Sequence, residues 1–463
     1  MILEADKRLS QSLIWQIQRD YFLKTGMAAW QADVVPHEIS CNPYIARSYG
    51  RLILAYLRDW LAAGLDVTEP IYVVELGAGS GRLTHHLLHY LAPILAEPPF
   101  AGLPLRFILT DFAPANVAFW QAQPVLQRWV ERGLLDFARF DGTAPGPLRL
   151  ERSDLSLTPA GCRNPIILLA NYFFDSIPMD SFAIADGQLC ENLLTLESDR
   201  PEPNLQDETL WERINFAYEA IPLEAEPYDN PLYNEILFEY EAVLPDTQLT
   251  FPNASLDCLH FWQQARSLLV LTADRGYTLL ESLVDQPAPL PNLHGSFSMM
   301  VNYHAIARYT QLSGGMALHP PHYQDNLQLL ALLLGALPGP ATETTRAFAD
   351  AVSAQGPDDY FALKQFVSSR YEQMTLPELL SWLRLSGHDS AILRACAPSL
   401  QTRLADADPS WFPDVCQLLW HCYQQHLPLD EADQLDSLIE DLLATMELPL
   451  TLPEFADAMT GEG

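Results

Sequence analysis

Short, almost wholly apolar runs punctuate this chain, and between them apolar residues recur at the spacing of a helix face. Runs closing at Glu75, Asp111, Phe140, Asn171 and Asp274 have strand length and little polar alternation, which is how strands buried on both faces read. Strands alternating with helical stretches predict an α/β domain on a mainly parallel sheet. The first seventy residues read as a helical cap, with Leu9 to Phe22 apolar at helical spacing and a longer helix from about Tyr44 to Ala63. The core then runs over residues 71–336, interrupted by an insertion at about 185–262, with Leu268–Asp274 as its fifth strand. Prolines 287, 289 and 291 mark a break, the segment from Asn292 to Tyr309 returns to the sheet, and Leu327 to Leu334 is expected to be a buried helix.

From Leu337-Pro-Gly-Pro340 onward helical patterns recur at Asp359–Tyr371, Leu376–Leu385, Ser390–Leu404, Phe412–His426 and Ala432–Met446. Residues 341–463 therefore form an all-α domain of stacked helical hairpins, similar to a tetratricopeptide array although no strict 34-residue period is present. Such a domain either offers a surface to a protein partner or is a bundle that stabilises or dimerises the molecule.

With 463 residues, 49% of them hydrophobic, the chain can bury two or three cores. Its longest apolar stretch, Leu327 to Leu337, is too short to span a bilayer, and the first residues lack a basic-then-apolar leader. A soluble, cytoplasmic protein without a membrane partner is expected. Seven cysteines without a Cys-x-x-Cys pair fit reduced thiols and no metal, and Cys416, His421 and Cys422 read as core on one helix. The formal charge of −33, from 59 acidic and 26 basic residues, excludes a general nucleic-acid partner, because the phosphate backbone would be repelled. Fourteen acidic residues fall between Glu197 and Asp246 against only Arg200 and Arg213, so this insertion is either a solvated acidic surface or an attractor for a cationic protein or peptide.

The chemistry begins at Val73-Val-Glu75-Leu-Gly77-Ala78-Gly79-Ser-Gly81, a strand that ends in an acid and three alternating glycines. Gly77 and Gly79 let the strand turn sharply and leave the turn open to a ligand, and Gly81 lets the following helix pack close to the sheet. The dinucleotide fingerprint spaces its third glycine differently, so NAD is disfavoured. Asp111, with Phe112 beside it, closes the next strand where a ribose acceptor belongs, and Asp141-Gly142 closes the third where an adenine amine can be met. Asn171, Tyr172 and Asp175 follow the fourth strand and should face the same cleft as Gly79, where an oxygen can orient an N–H or O–H nucleophile.

This glycine turn, with Glu75 before it, resembles motif I of class I S-adenosyl-L-methionine methyltransferases. The order of glycine turn, acidic strand end and Asn171-x-x-x-Asp175-x-x-Pro178 further resembles the MidA-type methyltransferases, the family of the mitochondrial complex I assembly methyltransferase. Ser48-Tyr-Gly-Arg51, Asp274-Arg-Gly-Tyr277, and His294-Gly-Ser-Phe297 with His304 resemble further elements of that family, over roughly residues 40 to 330. The resemblance implies a Rossmann-like class I sheet, S-adenosyl-L-methionine as cofactor, and a protein or peptide nitrogen, arginine by analogy, as acceptor. It places Glu75, Gly77, Ala78, Gly79, Gly81, Asp111, Phe112, Asp141, Gly142 and Asn171 at the cofactor, and Asn171, Tyr172 and Asp175 at the reacting atoms.

The departures fall on the acceptor side. Where the family has Asn-Glu this chain has Asn171-Tyr172, and where it has Asp-Tyr-Gly this chain has Arg275 in the middle. Two expectations stand on these residues: an active methyltransferase, or a protein of the same fold that serves assembly or interaction with weak or no methyl transfer.

Overall fold

A computed structural model of the chain describes residues 1–460 apart from 32–38, 203, 206, 208, 295, 325, 431 and 432. The first described strand, β1 (Ile2–Lys7), is followed by helices α1 (Leu13–Thr25), α2 (Ala28–Gln31) and α3 (Pro43–Ala63). Next come β2 (Ile71–Glu75), α4 (Arg82–Leu95), β3 (Leu105–Asp111), β4 (Leu135–Arg139) and β5 (Ile166–Asn171). The segment after β5 supplies β6 (Asp180–Ala185), β7 (Gln188–Ser198), β8 (Ile214–Pro222) and β9 (Thr247–Phe251), and the chain returns through β10 (Ser267–Asp274), β11 (Met316–Leu318) and β12 (Gln328–Gly335).

The central sheet has the order β11-β12-β10-β5-β2-β3-β4. Neighbours from β10 to β4 pair in parallel, while β12 runs against both β10 and β11. Its strands are apolar on both faces because both are covered. Val73, Leu109, Leu169 and Leu271 pack with α3 and α4 on one side. Val74, Ile108, Leu168 and Val270 pack with helices Asn253–Trp262 and Tyr303–Leu312 on the other. Helix α3 begins where Asn42 Oδ1 accepts from Tyr44 N and Ile45 N, at 2.9 and 3.0 Å, ahead of Pro43 at its first turn.

Three expectations are corrected. The segment from Asn292 to Tyr309 does not return to the central sheet: Asn292–His294 pairs with Ser296–Ser298, Val301–Asn302 pairs with Gly276–Tyr277, and Tyr303 opens a helix. The run Leu327–Leu334 is not a helix but the reversed strand β12, in which Leu330, Leu332 and Leu334 face one core and Leu329, Ala331 and Leu333 the other. An uninterrupted apolar run carries no period that separates the two conformations. The first seventy residues are not wholly helical either: β1 pairs antiparallel with β7, joining a second sheet of order β1-β7-β6-β9 with β8 on the outer side of β7. The acidic insertion is therefore partly sheet, and β8 turns most of its residues to solvent.

Helices Pro357–Ser368, Leu376–Leu385, Ser390–Ala405, Phe412–Gln424, Leu435–Thr445 and Leu452–Thr460 gather around a third core containing Leu379, Leu400 and Leu443. They meet the rest of the chain where Tyr44 stacks on Tyr360 at 4.2 Å and Gln123 Nε2 donates to Pro428 O at 2.8 Å. No described helix is long and apolar enough to cross a membrane.

Burial of β12 on both faces has a measurable consequence. Leu332→Ala and Leu333→Ala should each cost about 2–5 kcal/mol, read as a lower denaturant midpoint at unchanged slope. If one of the two neighbours proved silent, the two-faced burial would be wrong.

Candidate functional site

Parallel strands leave their carboxyl ends at one edge of the sheet, and there the loops after β2, β3, β4, β5 and β10 enclose a cavity of about 930 Å³. The turn after β2 is held by its backbone: Leu76 N donates to Leu169 O and Ala78 N to Thr110 O, both at 2.8 Å. Gly77 and Gly79 have φ of +61° and +51°, a conformation that L side chains rarely adopt. A Cβ on Gly79 would lie 2.9 Å from the Trp30 indole, and one on Gly77 3.0 Å from the Phe173 ring. Gly79 O accepts from Trp120 Nε1 at 3.0 Å, so aromatic rings fix the turn from above and below.

Asp111 ends β3 and is 4% exposed. Its Oδ2 accepts from Gly79 N at 3.3 Å and Asn116 Nδ2 at 2.9 Å, and its Oδ1 from Ala113 N at 2.9 Å. Burial pushes its pKa up against these bonds. Beside it, Asn116 Oδ1 lines the cavity, is buried, and has no hydrogen-bond partner among the described residues. Glu75 is 6% exposed and bonded by the Thr84 hydroxyl; burial, only partly offset by that bond, lifts its pKa to about 7.

Asp141 is less free than its sequence position suggests. Its Oδ2 pairs with Arg19 at 2.6 Å and its Oδ1 accepts from Thr143 N and Oγ1 at 3.0 and 2.7 Å. Burial would raise its pKa, but Arg19 and Thr143 outweigh that and lower it. Arg19 also lies 4.6 Å over the Phe112 ring. Asp141 thus fastens α1 across the cavity.

On the other side of β2, Asn171 Oδ1 accepts from Tyr49 Oη at 2.6 Å and its Nδ2 donates to Ser40 O at 2.7 Å. The adjoining Gly50 of α3 explains that motif sterically, since a Cβ there would meet the Tyr90 ring at 2.4 Å. Tyr172 takes a φ of +50°, held by its N–H to Ala273 O at 3.0 Å, and burial raises its phenol pKa. Asp175 sits in the tight turn Phe174–Ser176 with Oδ1 accepting from Ser176 Oγ at 2.7 Å. Burial lifts its pKa to about 7, against the opposing pull of Ser176, the Arg275 charge and Ser298. Behind it Asp274 is bonded by Tyr303 Oη at 2.5 Å, and burial together with Asp175 pushes its pKa well up.

The cavity therefore collects Glu75, Gly77, Ala78, Gly79, Asp111, Phe112, Asp141, Gly142, Asn171, Tyr172 and Asp175. Gly81 stands apart: it caps α4 at φ +76°, and its missing Cβ makes room for Leu109 and Trp120. His304 also lies elsewhere, its Nδ1 2.8 Å from Tyr240 Oη. The wall contributed by Trp15, Arg19, Phe22 and Trp30 had no sequence signal, because apolar and basic residues at helical spacing look the same whether they cover a core or a cavity.

Residues 53–253, from within α3 to just past β9, match a family model described as "Putative S-adenosyl-L-methionine-dependent methyltransferase". Among solved structures, a Burkholderia thailandensis protein bound to S-adenosyl-homocysteine is similar over 67% of this chain and 80% of its own, at 14% identity and a TM-score of 0.43. A native structure of an uncharacterized protein of the same superfamily and organism covers 68% of this chain and 73% of its own, at 15% identity and 0.42. Magnesium protoporphyrin IX methyltransferase from Synechocystis PCC 6803 covers 69% and 99%, at 12% identity and 0.31. No curated protein matches the chain.

The raised Glu75 gives a pH signature. Its carboxyl keeps a proton to about 7 when folded but releases it near the ordinary 4.5 when unfolded, so the stability it lends is full below 4.5 and lost as pH rises toward 7. Glu75→Gln should remove that loss: at pH 8 the variant's Tm should exceed the parent's by roughly a few degrees, and at pH 5 the two should lie closer. A Tm difference constant over that range would contradict the assignment.

Proposed function

We propose that this chain, whose residues 53–253 match the model of a putative S-adenosyl-L-methionine-dependent methyltransferase, transfers a methyl group to an N–H or O–H acceptor brought against Asp175. The observation that carries this is the single cavity joining the glycine turn and Asp111 to Asn171, Tyr172 and Asp175. A sheet in which only β12 runs against the rest supports a Rossmann-like, class I layout.

The residues present suit the cofactor. The side-chain-free turn leaves room for close approach, and the unmet Asn116 Oδ1 beside Asp111 awaits a donor such as a ribose hydroxyl. Glu75 suits the positively charged methionine end, and Phe112 with Gly142 the base. When bound, S-adenosyl-L-methionine supplies an electrophilic methyl group whose transfer to the acceptor's lone pair leaves S-adenosyl-homocysteine. Asn171, clamped at both ends, and the fixed Tyr172 backbone bound the space in which that lone pair must be aimed. Asp175, with a pKa of about 7, accepts the proton the acceptor gives up and passes it to solvent.

Calorimetry with S-adenosyl-homocysteine should show binding by the parent chain and none by Gly79→Arg, whose side chain would strike Trp30 from a left-handed backbone. No heat for the parent would sink the reading. With methyl-labelled cofactor and cell extract, Asp175→Asn should lower incorporation by about 100-fold or more while leaving S-adenosyl-homocysteine affinity unchanged. The parent's rate should climb with pH and level off above about 7, as Asp175 ionises; a rate flat from pH 5 to 8 would remove Asp175 as base.

A further inference from the structure

The sheet order separates the two sides of the cavity. Glu75, Asp111 and Asp141 stand at or just past the ends of β2, β3 and β4, whereas Arg275 follows directly on β10, on the far side of β5. Its backbone is rigid: Val301 N donates to Arg275 O at 3.0 Å, and the next residue, Gly276, lies so close to that segment that a Cβ would meet Val301 O at 2.3 Å. From this base the exposed Arg275 side chain lines the cavity and makes no ion pair among the described residues. That is notable in a chain with 59 acidic and 26 basic residues. Its charge reaches Asp175, Tyr172 and His294 without pairing to any of them.

The other charged groups of the wall are engaged. Arg19 pairs with Asp141, and Glu4 accepts from Ser12 Oγ and Leu13 N. Near Arg275, burial and the Arg275 charge lower the pKa of the His294 ring, and its Nδ1 is buried without a partner among the described residues. An unpaired guanidinium and an unmet imidazole nitrogen beside a base make a receptor for a ligand that brings an anion together with a proton to lose.

We infer that the methyl acceptor is an anionic small molecule whose carboxylate or phosphate lies on Arg275 while its N–H or O–H faces Asp175; this rests on the methyl-transfer reading above. The cavity of about 930 Å³ is shared by donor and acceptor, which is the scale of a small-molecule site. A cationic acceptor would stand beside Arg275, with Tyr172 and no second carboxylate next to Asn171 to offset that charge.

The test uses the full chain, methyl-labelled S-adenosyl-L-methionine, and a cell extract divided into anion-exchanger-retained, cation-exchanger-retained and protein fractions. Label is expected in the anion-retained small molecules. Arg275→Gln should raise the amount of that fraction needed for half-maximal labelling roughly 10- to 100-fold, with partial recovery in Arg275→Lys, which keeps the charge but not the fork. Calorimetric affinity for S-adenosyl-homocysteine should change by no more than about twofold in either variant. Label confined to the cation-retained or protein fraction, or an Arg275→Gln variant that labels the anion-retained fraction like the parent, overturns the anionic acceptor and leaves methyl transfer standing. Loss of S-adenosyl-homocysteine binding in Arg275→Gln also overturns it, by moving the residue to the donor side. Absence of label from every fraction overturns the methyltransferase reading itself.

Discussion

The Asp111 carboxylate is the fastening on which the cavity depends. A glycine turn has no side chains with which to hold itself, so its shape must come from bonds to its backbone. Asp111 accepts from Gly79 N while also gathering Ala113 N and the Asn116 amide, so the end of β3, the start of the following helix and the turn after β2 share one buried acceptor. Each donor left unmet there would cost about 1–3 kcal/mol. The rings that complete the walls, Trp30 on Gly79 and Phe173 on Gly77, lie against a turn already fixed by that carboxylate.

A second theme is where the chain keeps its charge. The formal −33 is carried largely away from the interior, since few of the 59 acidic residues are buried. Inside, Glu75 and Asp175 have been lifted to about 7, and Asp274 is likewise pushed well above the ordinary carboxylate value, chiefly by burial. Carboxylates so placed are near the balance point between charged and neutral, and a bound positive charge would tip them toward the charged form. Arg275, exposed and without an ion pair among the described residues, brings a fixed positive charge to the same cavity.

The sequence made the glycine-turn side of the cavity legible because its signals are local. The spacing of Gly77, Gly79 and Gly81, and acids closing successive apolar runs, are fixed by short-range backbone geometry, and the structure brings all of them except Gly81 to one cavity. What stayed hidden depends on distant partners. β12 read as a helix because its run has no polar residue to betray a period, and β1 gave no sign of pairing with a strand nearly two hundred residues away. Asp141 looked like a free acceptor until Arg19, more than a hundred residues earlier, was found on it. Arg275 was visible only as a misfit in a motif, and its exposure beside Asp175 gave the misfit a meaning.

Helix α1 is anchored ahead of its first turn by β1, woven into the second sheet, and along its length by Arg19 on Asp141. It works as a strap drawn across the sheet's edge and tied at two points. A version of the protein trimmed past Lys7, or extended by a fusion that keeps β1 from pairing, would retain every glycine and carboxylate around the glycine turn and still lose the tether of one wall. Expression variants of this chain are therefore better altered beyond the helical C-terminal region than ahead of α1.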